Sequence, residues 1–176
     1  MNQQIIIAGF GGQGVLFSGK FLAYAGLIED KNVSWLPSYG PEMRGGTANC
    51  NVVISDEPVG SPIITSATSL IAMNAPSLEK FMNTVQPGGK IFVDSTLIST
   101  RVERTDVQTF YIPATALAKE HELSGLSNMI MIGKFIKETG ICKNENIAEA
   151  LKKCVPARKA TLFEKNMEAI ALGMEN

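Results

Sequence analysis

The chain is short of the residues that most often carry redox, metal or acid–base chemistry: it has three cysteines and a single histidine in 176 residues. Cys50, Cys142 and Cys154 are odd in number, far apart and without Cys-x-x-Cys spacing, which encodes neither a disulfide framework nor a zinc or iron–sulfur site. They read as small buried thiols. His121 lies in the polar run Lys119-Glu120-His121-Glu122, a solvated helix face rather than a base held by an orienting partner. Charge imbalance is missing too, with 16 Lys and Arg against 17 Asp and Glu, a formal net charge of -1. A polyanion-binding surface is therefore not expected, and nucleic acid is excluded as a partner. No apolar stretch is long enough to span a bilayer, and Met1-Asn2-Gln3-Gln4 lacks the basic start of a signal peptide. The expectation is a cytoplasmic protein with no membrane partner. There is no internal repeat, low-complexity tract or linker, so residues 1–176 are expected to form one domain.

What the chain does have is glycine at telling places. Gln3 to Ala8 is a short apolar strand that stops at Gly9-Phe10-Gly11-Gly12-Gln13-Gly14, and Val15 to Ile28 follows as a largely apolar helix. Val33 to Leu36 is a second strand. Thr47 to Ser55 is a third, with Ala48, Cys50, Val52 and Ile54 on one face and Thr47, Asn49, Asn51, Val53 and Ser55 on the other. Ser69 to Met73 is a further strand, Asn74 a helix cap with Pro76 in the first turn, and the helix runs to about Val85, where Pro87-Gly88-Gly89 stops it. Lys90 to Asp94 and Val107 to Ile112 complete the strands. From Pro113 the pattern turns helical, over Ala114 to Glu122, Asn128 to Thr139, Glu145 to Val155 and Arg158 to Leu172, with Gly140 and Pro156 as punctuation. The alternation predicts an α/β fold, a single three-layer domain with a mostly parallel (mixed) sheet and a helical C-terminal portion.

Gly9 to Gly14 fits G-x-G-x-x-G and sits where that pattern has meaning, between a first strand and a first helix. A nicotinamide or flavin site also needs an acid at the end of the second strand, roughly 20 residues past the glycines, to hold the ribose. That strand ends in Trp35-Leu36-Pro37; Asp30 comes too early and Glu42 falls inside a constrained loop. The loop is Ser38-Tyr39-Gly40-Pro41-Glu42-Met43-Arg44-Gly45-Gly46-Thr47. Its glycines permit positive φ while Pro41 fixes its own φ and restrains Gly40.

Two readings stay open for these segments. The glycines could serve helix–sheet packing, and Glu42 and Arg44 a structural ion pair. Alternatively both loops lie side by side at the carboxyl edge of the sheet, where open α/β folds bind ligands. Gly9, Gly11, Gly12, Gln13, Gly14, Tyr39, Glu42, Arg44, Gly45 and Gly46 are then the binding candidates, with Gln13 offering an amide and Arg44 a planar cation for phosphate or carboxylate. No residue is assigned a catalytic or metal-binding role.

Ile7-Ala8-Gly9-Phe10-Gly11-Gly12-Gln13-Gly14 followed by Pro37-Ser38-Tyr39-Gly40-Pro41-Glu42-Met43-Arg44-Gly45-Gly46-Thr47-Ala48 resembles the gamma subunit of 2-oxoacid:ferredoxin oxidoreductases. Gln3 to Ser55 carries the resemblance closely; Ser61-Pro62, Pro87-Gly88-Gly89 with Asp94-Ser95, and the helix from Asn128 match more weakly. It implies a multi-subunit enzyme that oxidatively decarboxylates a 2-oxoacid, joins the acyl group to coenzyme A and passes electrons to ferredoxin. It also implies alpha, beta and ferredoxin-like delta partners that hold thiamine diphosphate, magnesium and the iron–sulfur clusters. This chain would be inactive alone, binding no cofactor by itself except for a contact to coenzyme A. Length and the wording of Ser38 to Asn51 favour the 2-oxoglutarate branch, with pyruvate and branched-chain 2-oxoacids open, as is self-association of the isolated chain. A stand-alone nucleotide-binding or NAD(P)/FAD-dependent Rossmann-like protein is the alternative.

Overall fold

A computed structural model describes residues 2–38 and 47–176. Strands and helices follow in the order β1 (Asn2–Phe10), α1 (Val15–Ile28), β2 (Asn32–Ser38), β3 (Thr47–Ser55), β4 (Ala67–Ala72), α2 (Ala75–Phe81), β5 (Val85–Asp94), β6 (Gln108–Ile112), α3 (Ala114–Glu120), α4 (Ser127–Thr139), α5 (Asn144–Cys154) and α6 (Ala160–Glu175). The six strands form one sheet in the order β2-β3-β1-β4-β5-β6. β1, β4, β5 and β6 pair in parallel, and β3 is antiparallel to both β1 and β2, so β3 alone runs against the rest.

The sheet is covered on both faces, as expected of a parallel core. Period-2 alternation in β1 sends Ile5 and Ile7 into a core with α1, α4, α5 and α6, while Ile6 and Ala8 enter a second core with Leu78 of α2. α1 carries apolar residues nearly all round because it is pressed between sheet and helices. Gly19 and Gly26 let it come close: a Cβ on Gly19 would overlap the Cys50 thiol, and one on Gly26 would crowd Val33 and Ile54.

The C-terminal helices lie where the periodicity places them, within a few residues at each end. Gly140, at φ 62°, closes α4 with its N–H on the Ile136 carbonyl. Asn74 caps α2 as expected, its Oδ1 accepting from Ser77 N at 2.8 Å. Glu29, just past α1, caps α5 from a distance: its carboxylate accepts from Lys143 N and Asn146 Nδ2, both at 2.8 Å.

One expectation is corrected. Pro87-Gly88-Gly89 does not stop the helix; α2 ends at Phe81, a 3-10 turn takes Met82–Thr84, and the three residues lie inside β5. Ala67 pairs with Val85 and Ser69 with Lys90, so Thr68 alone faces Gln86 to Gly89 across a bulge. A bulge is where a strand accepts a proline without a donor and a glycine at positive φ. Gly88 has φ 78° and turns its N–H to the Asp106 carbonyl at 2.7 Å.

Candidate functional site

The glycine turn leaves β1 at the carboxyl edge of the sheet and opens α1. This is the point where connections diverge: β1 feeds a helix on one face, and β4, its parallel neighbour, feeds α2 on the other. Such a divergence leaves a crevice. Here the Gln13 side chain bridges it, its Oε1 accepting from Phe10 N at 2.6 Å and its Nε2 donating to the Met73 carbonyl at 3.0 Å. Gly9 is required by that bridge, since a Cβ there would sit 2.7 Å from Gln13 Oε1 and 2.8 Å from Met73 Cβ. Gln13, expected as an amide for a ligand, uses one hydrogen bond from each of its polar atoms to brace the turn against Met73.

Gly12 and Gly14 have φ of 95° and 76°, a region that side-chain-bearing residues rarely occupy. Gly14 is the N-cap of α1, without a side-chain cap and with no acid in the following turn. The first N–H groups of α1 therefore keep their preference for an anion. Beside them is a hollow of about 270 Å³, bordered by Phe10, Gly11, Gly12, Leu16, Phe17 and Ala48 among others.

Sheet register locates the second loop's ends. Phe10 pairs with Thr47 and Gly9 with Ala48, while Ser38 faces Asn49 across the β2–β3 pair. The segment from Ser38 to Thr47 therefore leaves and rejoins the sheet on the edge that carries the glycine turn. Tyr39, Glu42, Arg44, Gly45 and Gly46 lie outside the described residues.

The same register removes the geometry of a dinucleotide site. Its ribose-holding acid would stand at the end of a strand adjacent to β1, but β3 intervenes between β1 and β2, and β2 is an edge strand ending without a carboxylate.

Two buried polar residues carry long-range ties that the sequence does not signal, and the first of them supports the glycine turn. Asn128, second residue of α4 and 4% exposed, donates from Nδ2 to the Gly14 carbonyl at 3.2 Å and to Ser18 Oγ at 3.0 Å. Asp94, fully buried at the end of β5, accepts from Thr115 Oγ1 at 2.6 Å, Thr96 N at 3.1 Å and Thr115 N at 3.3 Å, tying β5 to the start of α3. The contact between Asn128 and the turn spans 114 residues, which no local pattern reports.

The thiols are chemically quiet. Burial pushes Cys50 up to about 12 and Cys154 to about 11, and burial followed by the nearby Glu29 carboxylate takes Cys142 to about 12. His121 is exposed just past α3. Among the described residues no three His, Cys, Asp or Glu side chains are grouped to hold a metal ion.

With this geometry in view, the family model described as pyruvate ferredoxin/flavodoxin oxidoreductase matches residues 4–176. The chain belongs to that family. It is 35% identical to the 2-oxoglutarate synthase subunit KorC of Methanocaldococcus jannaschii, over 99% of this chain and 94% of that one. It is 40% identical to the ketoisovalerate oxidoreductase subunit VorA of Methanothermobacter thermautotrophicus over 98% of its own residues. The match takes in only 36% of VorA, so the chain spans about a third of that relative's length. Among solved structures it resembles the gamma subunit of a keto/oxoacid ferredoxin oxidoreductase from Geobacter sulfurreducens, with 28% identity, a TM-score of 0.83 and coverage of 98% and 96% of the two chains.

Proposed function

We propose that this chain is the single-domain gamma subunit of a cytoplasmic multi-subunit 2-oxoacid:ferredoxin oxidoreductase. The full complex would decarboxylate a 2-oxoacid, join the acyl group to coenzyme A and pass the released electrons to ferredoxin. The observation that carries this reading is the end-to-end match to KorC, a chain of nearly the same length. That match also favours 2-oxoglutarate as substrate. The 40% identity to VorA favours a branched-chain 2-oxoacid instead, as the second reading.

In this reading thiamine diphosphate, magnesium and the iron–sulfur clusters belong to alpha, beta and delta partners. This chain supplies shape: a glycine turn fixed to two neighbouring elements, free N–H groups at the start of α1, and Arg44 from the adjoining loop. Those groups suit the phosphates of coenzyme A, which would be held for transfer rather than activated.

The deciding experiment measures ferredoxin reduction by the complex reconstituted with its partner subunits, with 2-oxoglutarate, 3-methyl-2-oxobutanoate and pyruvate in turn and with coenzyme A present or absent. The complex turns over one 2-oxoacid in a coenzyme A-dependent manner, and the lone chain turns over none; activity of the lone chain refutes the reading. Arg44→Ala in the assembled complex raises KM for coenzyme A more than KM for the 2-oxoacid. Equal rises remove the assignment of coenzyme A to this edge.

A further inference from the structure

Asn128 is an unusual residue to bury. Its Oδ1 has no hydrogen-bond partner and is sealed from solvent, an arrangement that costs stability at that atom. Its Nδ2 nevertheless reaches out of α4 to the Gly14 carbonyl, which also accepts the Ser18 N–H at 2.9 Å. Gly14 is fitted to this contact, since a Cβ at that position would overlap the Asn128 amide. From the other side Gln13 ties the same turn to Met73 at the end of β4. The turn is therefore clamped between two amides that come from different parts of the chain.

We infer that Asn128 is a positioning residue: its amide, working with Gln13, fixes the Gly11 to Gly14 turn in the one geometry that the complex uses. Stability is given up at Oδ1 and turn order is gained at Nδ2. The claim concerning turnover rests on the proposed function; the claim concerning order in the turn does not.

The test separates order from stability by replacing Asn128 with leucine, which keeps the volume and removes both polar atoms. Asn128→Leu in the full chain removes the orphaned oxygen but takes the donor from the buried Ser18 Oγ, so the two effects oppose and the melting temperature shifts by no more than about 4 °C. Amide exchange of Gln13 and Ser18, whose N–H groups bond the Phe10 and Gly14 carbonyls, becomes at least about fivefold faster while the remaining sheet amides are unaffected, as the tie from α4 to the turn is lost. In the reconstituted complex, KM for coenzyme A rises at least about threefold with KM for the 2-oxoacid unchanged.

Asn166 is the matched control. It is also a buried amide with an unpartnered Oδ1, donating to the Leu162 carbonyl at 2.7 Å within α6. Asn166→Leu leaves exchange in the turn and both KM values at wild-type levels. Asn128→Asp, which keeps the shape and removes the donor, reproduces the fast exchange if the leucine variant does not fold. Unchanged exchange in the turn, equal effects of the two leucine variants, or failure of both Asn128 variants to fold each overturns the inference and leaves a purely structural residue. A wild-type complex without 2-oxoacid activity refutes the proposed function instead, and the exchange comparison still decides the role of Asn128.

Discussion

Replacing Gly133 by alanine sets two opposed effects against each other in one measurement. Gly133 lies in the interior of α4, where alanine favours the helix by about 1 kcal/mol. The same Cβ would run into the Ile170 carbonyl oxygen of α6, and reciprocally a Cβ on Gly173 would run into the Ile130 carbonyl oxygen of α4. The two helices thus cross backbone to backbone, and neither obstacle is a side chain that can swing away. Overpacking a filled core costs about 1–3 kcal/mol, and rigid carbonyls put this case at the upper end. The net effect of Gly133→Ala is then a loss of about 2 kcal/mol, or a fall in Tm of about 4–8 °C for a chain of this size. Thermal and urea unfolding measure it, with an unchanged urea slope showing that the denatured state is not the cause. Because one helix separation relieves both overlaps, the double variant Gly133→Ala, Gly173→Ala loses less than the sum of the two single losses. A rise in Tm for Gly133→Ala would refute the reasoning, since propensity would then outweigh the crossing.

Three further outcomes follow from single side chains. Glu29 accepts a backbone and a side-chain hydrogen bond at the start of α5, and these hold its carboxyl below the ordinary 4.5. Its contribution is therefore full above that value and lost as pH falls through the lower folded one, so Glu29→Gln lowers Tm at pH 7 and flattens the acid limb of a stability–pH curve, the two proteins converging at low pH. Asp94→Ala leaves Thr96 N, Thr115 N and Thr115 Oγ1 without their acceptor, and urea unfolding shows a loss of about 3 kcal/mol, in line with about 1 kcal/mol for each hydrogen bond. Cys50, with its thiol pushed up to about 12, stays unlabelled by iodoacetamide at pH 8 in the native protein and becomes labelled in urea; native labelling at the denatured rate contradicts its burial.

The elements of the fold are legible because they are local. α1 follows from an apolar run between a glycine turn and Glu29, and its sequence-predicted span and observed span are the same. β3 likewise runs from Thr47 to Ser55, as its alternation indicates. Pro87-Gly88-Gly89 misleads because proline and glycine mark a turn and a bulge equally well, and only the pairs on either side, Ala67 with Val85 and Ser69 with Lys90, tell them apart. Of the candidate site, the glycine turn is readable from its motif. Its supports are not: Asn128 looks like the first turn of a core helix, and its partner Gly14 becomes a neighbour only when α4 packs beside α1. A buried amide carries no periodic signature, so distance in sequence hides it.

The glycine fingerprint itself has a different meaning here from the one its spacing suggests. In a dinucleotide site the strand that carries the ribose acid lies next to the first strand, so glycines and acid act on one ligand. Here β3 is inserted antiparallel between β1 and β2, which moves the end of β2 one strand further from the glycine turn. The insertion also brings the start of β3 alongside the turn, through the pairs Phe10 with Thr47 and Gly9 with Ala48. One topological change thus removes the second half of a nucleotide pocket and puts the ends of a new loop in its place. The glycines remain necessary for reasons that do not involve a nucleotide: Gly9 makes room for the Gln13 bridge, and Gly14 makes room for Asn128. A motif kept by such internal contacts presents a fixed edge to another molecule, and calorimetry with NAD(H), NADP(H) and FAD on the lone chain gives no binding heat if this account of the glycines is right.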